Sequence, residues 1–188
     1  TNSTSANFSF SSNEQGSTFE CKLDDPYNWT NCSSPVSYSN LFEGSHSFAV
    51  KATDEANNTG DESVFNWIID ISGPLAYISS GPNNPTNSDI ATFVIESYDN
   101  ETTDTLECNL DSAGWDDCTS PKAYDNLSED DHSFSVRATD SVGNTGSSVY
   151  YNWTTDYTEP IITIISGPDS ITNSTSANFS FSSNEQGS

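Results

Sequence analysis

Four cysteines are the residues in this chain whose chemistry is most sharply specified. They fall as Cys21 with Cys32 and Cys108 with Cys118, and four cysteines allow three pairings. The two pairs occupy matching places in two half-repeats of the sequence, which selects Cys21–Cys32 and Cys108–Cys118. A closed loop of about ten residues stabilises a fold by roughly 2–3 kcal/mol, a large share of what a small core supplies. Redox exchange would want Cys-x-x-Cys, which is absent. Four thiolates spread over two units also lack the close paired spacing of a zinc site. Structural disulfides imply an oxidising, extracellular setting.

Asn-x-Ser/Thr triplets are the second chemical signal. They occur at Asn2, Asn7, Asn28, Asn31, Asn57, Asn100, Asn126, Asn152, Asn173 and Asn178, and each is an acceptor for N-glycosylation where the machinery exists. With about 20 Asn and nearly 30% Ser plus Thr, composition alone yields about six, so the excess is modest. Placement says more. Asn7 between Ala6 and Phe8, and Asn152 between Tyr151 and Trp153, have the outward parity of a strand and leave the core undisturbed.

The two histidines, His46 and His132, stand at matching positions and share the inward parity of the following Phe and Val. A structural role at the start of a strand is expected. One His per repeat supports no Ser-His-Asp or Cys-His arrangement, so no catalytic residue is predicted. The acid pairs Asp24-Asp25, Asp116-Asp117 and Asp130-Asp131 read as turn residues bonding their own backbone, as do Asp54 and Asp140 in Asp-x-x-x-Asn loops. Asp70 and Asp156 precede the short linkers DISGP and DYTEP. Carboxylates there offer hard oxygens for an interdomain Ca²⁺, but the ligand set is incomplete in the sequence and no D-x-D-x-D-G loop exists. No cofactor and no metal residue is predicted beyond that interdomain calcium. Pro74 and Pro160 in those linkers should leave successive units little freedom.

What must position these groups is a repeat. Residues 1–17, TNSTSANFSFSSNEQGS, recur unchanged as 172–188, 171 positions on. A weaker half-repeat lies inside: FECKLD matches LECNLD, CSSP matches CTSP, SHSFAVKATD matches DHSFSVRATD, and FNWIID matches YNWTTD. Three stretches follow: 1–73, a repeat lacking its first strand; 74–159, a second repeat; and 160–188, the opening strands of a third. PIITIISGPDSI precedes the third copy and PLAYISSGPNNP the second. Two assemblies fit this phase: a window on a long covalent array, or strand addition in which 160–188 is donated to a neighbouring subunit. The identity of the 17 residues favours the covalent array. The sequence has no initiating Met or signal-peptide pattern and is expected to be an internal piece of a longer protein.

Composition bounds the rest. The 28 acids against 4 Lys plus Arg make a net charge of −24, which repels nucleic acid and anionic membranes and suits a solvated surface. No apolar run is long enough to span a membrane. Hydrophobics at 32% and aromatics at 12% suffice for small cores, so wholesale disorder is excluded.

Period-2 alternation marks the strands. Phe48, Val50 and Ala52 face inward with Ser47 and Lys51 outward, and Phe134, Val136 and Ala138 repeat the pattern. Ala6, Phe8 and Phe10 form a row, as do Phe19, Cys21 and Leu23, and Phe65, Trp67 and Ile69. About seven short strands in about 85 residues predict an all-β fold of tandem immunoglobulin-like or fibronectin-III-like β-sandwich domains. A small barrel is the alternative.

The pattern F-x-C-x-L-D … W … C-x-S-P … Y-x-x-L … H-x-F-x-V-x-A-T-D-x-x-x-N … W-x-x-D … P resembles the Ig-like repeat domains of large bacterial and archaeal surface proteins. It rests on Phe19, Cys21, Leu23, Trp29, Cys32, Pro35, Leu41, His46, Phe48, Val50, Asp54, Asn58 and Trp67. Leu106, Cys108, Leu110, Trp115, Cys118, Pro121, Leu127, His132, Phe134, Val136, Asp140, Asn144 and Trp153 repeat it. One departure is Glu55-Ala56-Asn57-Asn58, where the family has a Gly that the second copy keeps as Gly143. The resemblance implies spacers, adhesins and fibre subunits alike. The expected role is a structural, non-enzymatic part of an extracellular fibre or surface stalk, partnered by neighbouring copies of the repeat. The alternatives are an adhesin module using the aromatics Tyr27, Tyr98 and Tyr157, and a spacer beside an enzyme domain elsewhere in a longer chain.

Overall fold

Short alternating apolar runs cut by Ser, Gly, Asn and Pro cannot sustain a helix, and the described residues contain fifteen strands and no helix. The computed structural model describes residues 1–99 and 104–184. The first unit contains β1 (Ala6–Phe8), β2 (Thr18–Leu23), β3 (Thr30–Cys32), β4 (Val36–Tyr38), β5 (Gly44–Thr53) and β6 (Ser63–Ile69). The second contains β7 (Leu75–Ser80), β8 (Ala91–Tyr98), β9 (Thr105–Leu110), β10 (Asp116–Cys118), β11 (Lys122–Tyr124), β12 (Asp131–Thr139) and β13 (Val149–Thr154). A hairpin of β14 (Ile162–Ser166) and β15 (Ser180–Ser183) follows.

In the second unit a four-stranded sheet, β10-β9-β12-β13, is joined by a three-stranded one, β11-β8-β7. All the ladders are antiparallel. Seven strands in two sheets make the Ig-like sandwich that the alternation predicts. The inward rows close the core: Ala91, Phe93 and Ile95 of β8 lie against Phe134, Val136 and Ala138 of β12 and Trp153 of β13, all buried. Phe93 stacks on Phe134 with ring centroids 4.0 Å apart. Phe8 stacks on Phe48 at the same distance in the first unit.

The first unit keeps the four-stranded sheet, β3-β2-β5-β6, but opposes it with only β1-β4. Its inward rows are less covered. Phe8, Phe10 and Trp67 are half-buried where Phe93, Ile95 and Trp153 are buried. Phe65, assigned to the core by parity, is 58% exposed. The cause is tertiary: β7 packs across β12 and β13 in the second unit, and nothing among the described residues takes its place over β5 and β6.

Each disulfide ties β2 to β3 or β9 to β10, with Cα atoms 5.8 Å apart. Asp116 and Asp117 depart from the turn expectation. They lie on β10, an edge strand paired to Glu107 and Cys108, where acidic side chains also discourage further strand pairing. The Gly143 turn is kept in the first unit by Asn57. Gly143 has φ 94° and Asn57 φ 65°, and Asn tolerates the left-handed region better than other side chains.

Candidate functional site

The histidines are set by the sheet. His46 lies on β5 opposite Trp67 of β6 and stacks on that ring, with centroids 5.2 Å apart. Its Nδ1 meets Asp24 Oδ2 at 2.7 Å and its Nε2 meets the Phe42 carbonyl at 2.7 Å. His132 repeats this with Asp111 at 2.8 Å, the Ser128 carbonyl at 2.9 Å and the Trp153 ring. The second oxygen of each aspartate accepts the next backbone N–H, from Ser47 or Ser133. Both ring nitrogens face acceptors, so both must donate, and the arrangement holds an imidazolium. The Asp24 carboxylate and then the Phe42 carbonyl push the pKa of His46 above the ordinary histidine value. For His132, burial opposes protonation, but the Ser128 carbonyl and Asp111 carboxylate outweigh it and the pKa is raised. Neither ring has a nitrogen left to take a proton from a nucleophile.

The acidic side chains with a shared destination gather where the two units meet. Asn144 Nδ2 donates to the Asp70 carbonyl at 2.9 Å and to Asp140 Oδ2 at 2.8 Å, bridging the units. Asp140 Oδ1 accepts the backbone N–H groups of Val142 and Asn144. Burial resists its ionisation, but these donors prevail and its pKa falls below the usual carboxylate value. The backbones touch here. A Cβ on Gly146 would overlap the Pro74 carbonyl, and one on Gly73 would overlap Thr145 and Gly146, so only glycine fits at either position. Pro74 is fully buried.

Carboxylate oxygens of Asp70, Asp99 and Asp140 lie within 4.8 Å of one another at this junction. Asp70 Oδ2 is buried with no hydrogen-bond partner among the described residues. The four cationic side chains are placed elsewhere. Lys22 pairs with Glu62, Lys51 with Glu20 and Arg137 with Glu107, and Lys122 lies over Tyr124. Three such oxygens are hard donors of the kind Ca²⁺ takes. The sequence marked Asp70 and Asp156, each before its own linker, and left the remaining ligands open. The structure brings Asp99 and Asp140 to Asp70, while Asp156 lies a whole unit further along, exposed beside Thr86.

Two linker contacts carry no motif and were missed. Glu43 accepts a hydrogen bond from Ser72 Oγ at 2.8 Å. Glu129 accepts from Thr158 Oγ1 at 2.6 Å and from the backbone N–H of Tyr157. The Thr158 hydroxyl is the main cause of the lowered Glu129 pKa. The only signal was that Glu43 and Glu129, like Ser72 and Thr158, stand 86 positions apart.

No protein-family model matches the chain. No curated protein matches it either. Among solved structures it is similar to fibronectin(III)-like modules of Clostridium thermocellum CbhA, at 14% identity over 81% of this chain and 86% of that one, TM-score 0.41. It is similar to a 1.5-MDa bacterial ice-binding adhesin at 15% identity over 80% of this chain and 58% of that one, TM-score 0.41. A third likeness is to the central fibronectin-III array of RIM-binding protein, at 12% identity over 90% and 72%, TM-score 0.30. Likenesses this distant carry no function, and the sandwich assignment follows from the chain's own strand order.

Asn2, Asn7, Asn28, Asn31, Asn57, Asn126, Asn152, Asn173 and Asn178 are all exposed, and Asn100 lies outside the described residues. Asn57 and Asn126 sit in turns with positive φ, and Asn7, Asn31 and Asn152 on the outer faces of β1, β3 and β13. Tyr27, Tyr98 and Tyr157 are exposed as well. They lie in the β2–β3 loop, at the end of β8 and beyond β13, and no aromatic contact joins them among the described residues.

Proposed function

We propose that this chain is a structural segment of an extracellular fibre or surface stalk, built from tandem, disulfide-bonded, N-glycosylated sandwich repeats, and not an enzyme. The observation that carries the reading is the recurrence of residues 1–17 as 172–188. The linker geometry supports it, since a glutamate grips the linker hydroxyl after each unit and a tight glycine contact docks the first unit on the second. Repeats joined this way propagate one direction along an axis. The disulfides support a location outside the cell, and the exposed sequons leave room for glycans on both units. Interdomain Ca²⁺ belongs to the same reading, with Asp70, Asp99 and Asp140 as its ligands. The partners are neighbouring copies of the repeat, and the acidic surface disfavours nucleic acid. Electron microscopy of the native material should show a rod with a regular axial repeat; compact particles without one would overturn the reading.

The exposure of Tyr27, Tyr98 and Tyr157 favours a second reading, an adhesin module binding a surface carbohydrate or protein. Silence on a glycan array, together with unchanged cell adhesion in the triple Tyr→Ser variant, would remove it.

A further inference from the structure

We propose that the outer face of the three-stranded sheet in the second unit is a binding platform for a neutral polysaccharide, built from Tyr77 and Tyr98 with Glu96 beside both. This rests on the adhesin reading and narrows it to one face and one class of ligand.

The two strands carry more apolar surface than the core uses. A sheet with one face in solvent alternates apolar and polar residues, whereas apolar side chains on both faces mark strands that are covered on both. β7 opens Leu-Ala-Tyr-Ile and β8 contains Phe-Val-Ile-Glu-Ser-Tyr, apolar on both faces. Ala76, Phe93 and Ile95 point into the core and are buried. Leu75, Tyr77, Val94 and Tyr98 take the opposite face, where they are 55%, 49%, 37% and 63% exposed. Both strands belong to the complete seven-stranded unit, and the exposure is that of a face, not of an edge.

The ladder arranges these side chains. Tyr77 stands opposite Glu96 and Leu75 opposite Tyr98, which sets the two tyrosines on one diagonal, roughly 7–8 Å apart. Among the described residues neither tyrosine ring has an aromatic contact, and neither hydroxyl nor the Glu96 carboxylate has a hydrogen bond. A tyrosine offers an apolar ring with a polar tip. Two such rings side by side present an apolar surface edged with hydroxyls, and the carboxylate beside them accepts hydrogen bonds. The C–H face of a pyranose can lie on those rings while its hydroxyls reach the polar groups, the mixture of aromatic surface and few placed polar atoms that small-ligand sites use. The fold does not demand this face. In the first unit the residues equivalent to Val94, Glu96 and Tyr98 are Ser9, Ser11 and Asn13.

Charge and area choose the occupant. Glu96 and the net charge of −24 repel uronates, sulfated sugars and other polyanions. With roughly 200 Å² for each large side chain, the four apolar ones, about half exposed, offer about 400 Å². That is half of the roughly 800 Å² per partner that a stable protein interface takes, and it suits a few uncharged sugar rings in a row.

The test is an array of neutral oligosaccharides, then affinity electrophoresis of the unglycosylated 188-residue chain in gels carrying galactomannan, xyloglucan or mixed-linkage β-glucan, with alginate as the charged comparison. Retardation by a neutral polymer and none by alginate is expected. Tyr77→Thr and Tyr98→Asn copy the residues at the equivalent places, Thr163 and Asn13, so both variants should fold, with an unchanged melting temperature. Each should weaken the interaction by about tenfold. Tyr98→Phe should keep most of it, and Tyr27→Ser, on a separate loop, all of it. Equal retardation of wild type and both variants, or silence toward every neutral glycan, would overturn the proposal. So would a concentration-dependent dimer that Tyr77→Thr abolishes, which gives the face to a second copy, or binding confined to the chain's own released N-glycans. Cell adhesion that persists without neutral-glycan binding would remove the platform and leave the adhesin reading in place, through a protein partner.

Discussion

A buried histidine with a carboxylate on one nitrogen and a carbonyl on the other is a charged residue built into a hydrophobic sandwich. His46 and His132 are stacked on Trp67 and Trp153 in this state, so their protonation is linked to folding. Their folded pKa values are raised, so the stability they contribute is fully present below the unfolded value of about 6.5. It is lost as pH rises through the folded values. The chemical denaturation midpoint is therefore expected to fall as pH rises above about 6.5, with a weaker dependence in His132→Gln. An equal dependence in wild type and variant would assign the effect to other groups. The pairing of each histidine with an aspartate 21 or 22 residues earlier could not be read from a strand pattern. Asp24 and Asp111 have positive φ, and only the β2–β5 and β9–β12 ladders bring them opposite the ring.

Among the elements, β7 separates a closed sandwich from an open one. The second unit has it, and Phe93 is fully buried; among the described residues nothing takes its place over the first unit, and Phe8 is half-buried. Phe93→Ala should then cost about 3–5 kcal/mol of second-unit stability, and Phe8→Ala about half as much in the first. Urea unfolding followed by tryptophan fluorescence can compare the pair, and equal costs would contradict the difference in cover. Strand identity was legible from alternation, as at Phe48 and Val50 or Phe134 and Val136. Parity also placed Phe65 in the core, where it is exposed. Alternation reports which face a side chain takes, whereas cover depends on what lies opposite.

Across the whole molecule, the junction between units concentrates negative charge in a chain whose net charge is already −24. Asp70, Asp99 and Asp140 converge there while all four Lys and Arg side chains are engaged elsewhere. Millimolar Ca²⁺ is accordingly expected to raise the melting temperature by several degrees beyond Na⁺ at matched ionic strength. The gain should vanish in Asp70→Asn, and an equal rise in that variant would show general screening instead. The sequence alone determined the repeat, its 171-residue period, the strand faces and the matched cysteine pairs, because these depend on identity and on a two-residue period along the chain. It also placed a carboxylate at each linker. Tertiary structure decided which acids meet and that Glu43 and Glu129 hold the linkers. Those are contacts between residues up to 74 positions apart, and no local periodicity encodes which distant backbone a folded sheet brings alongside.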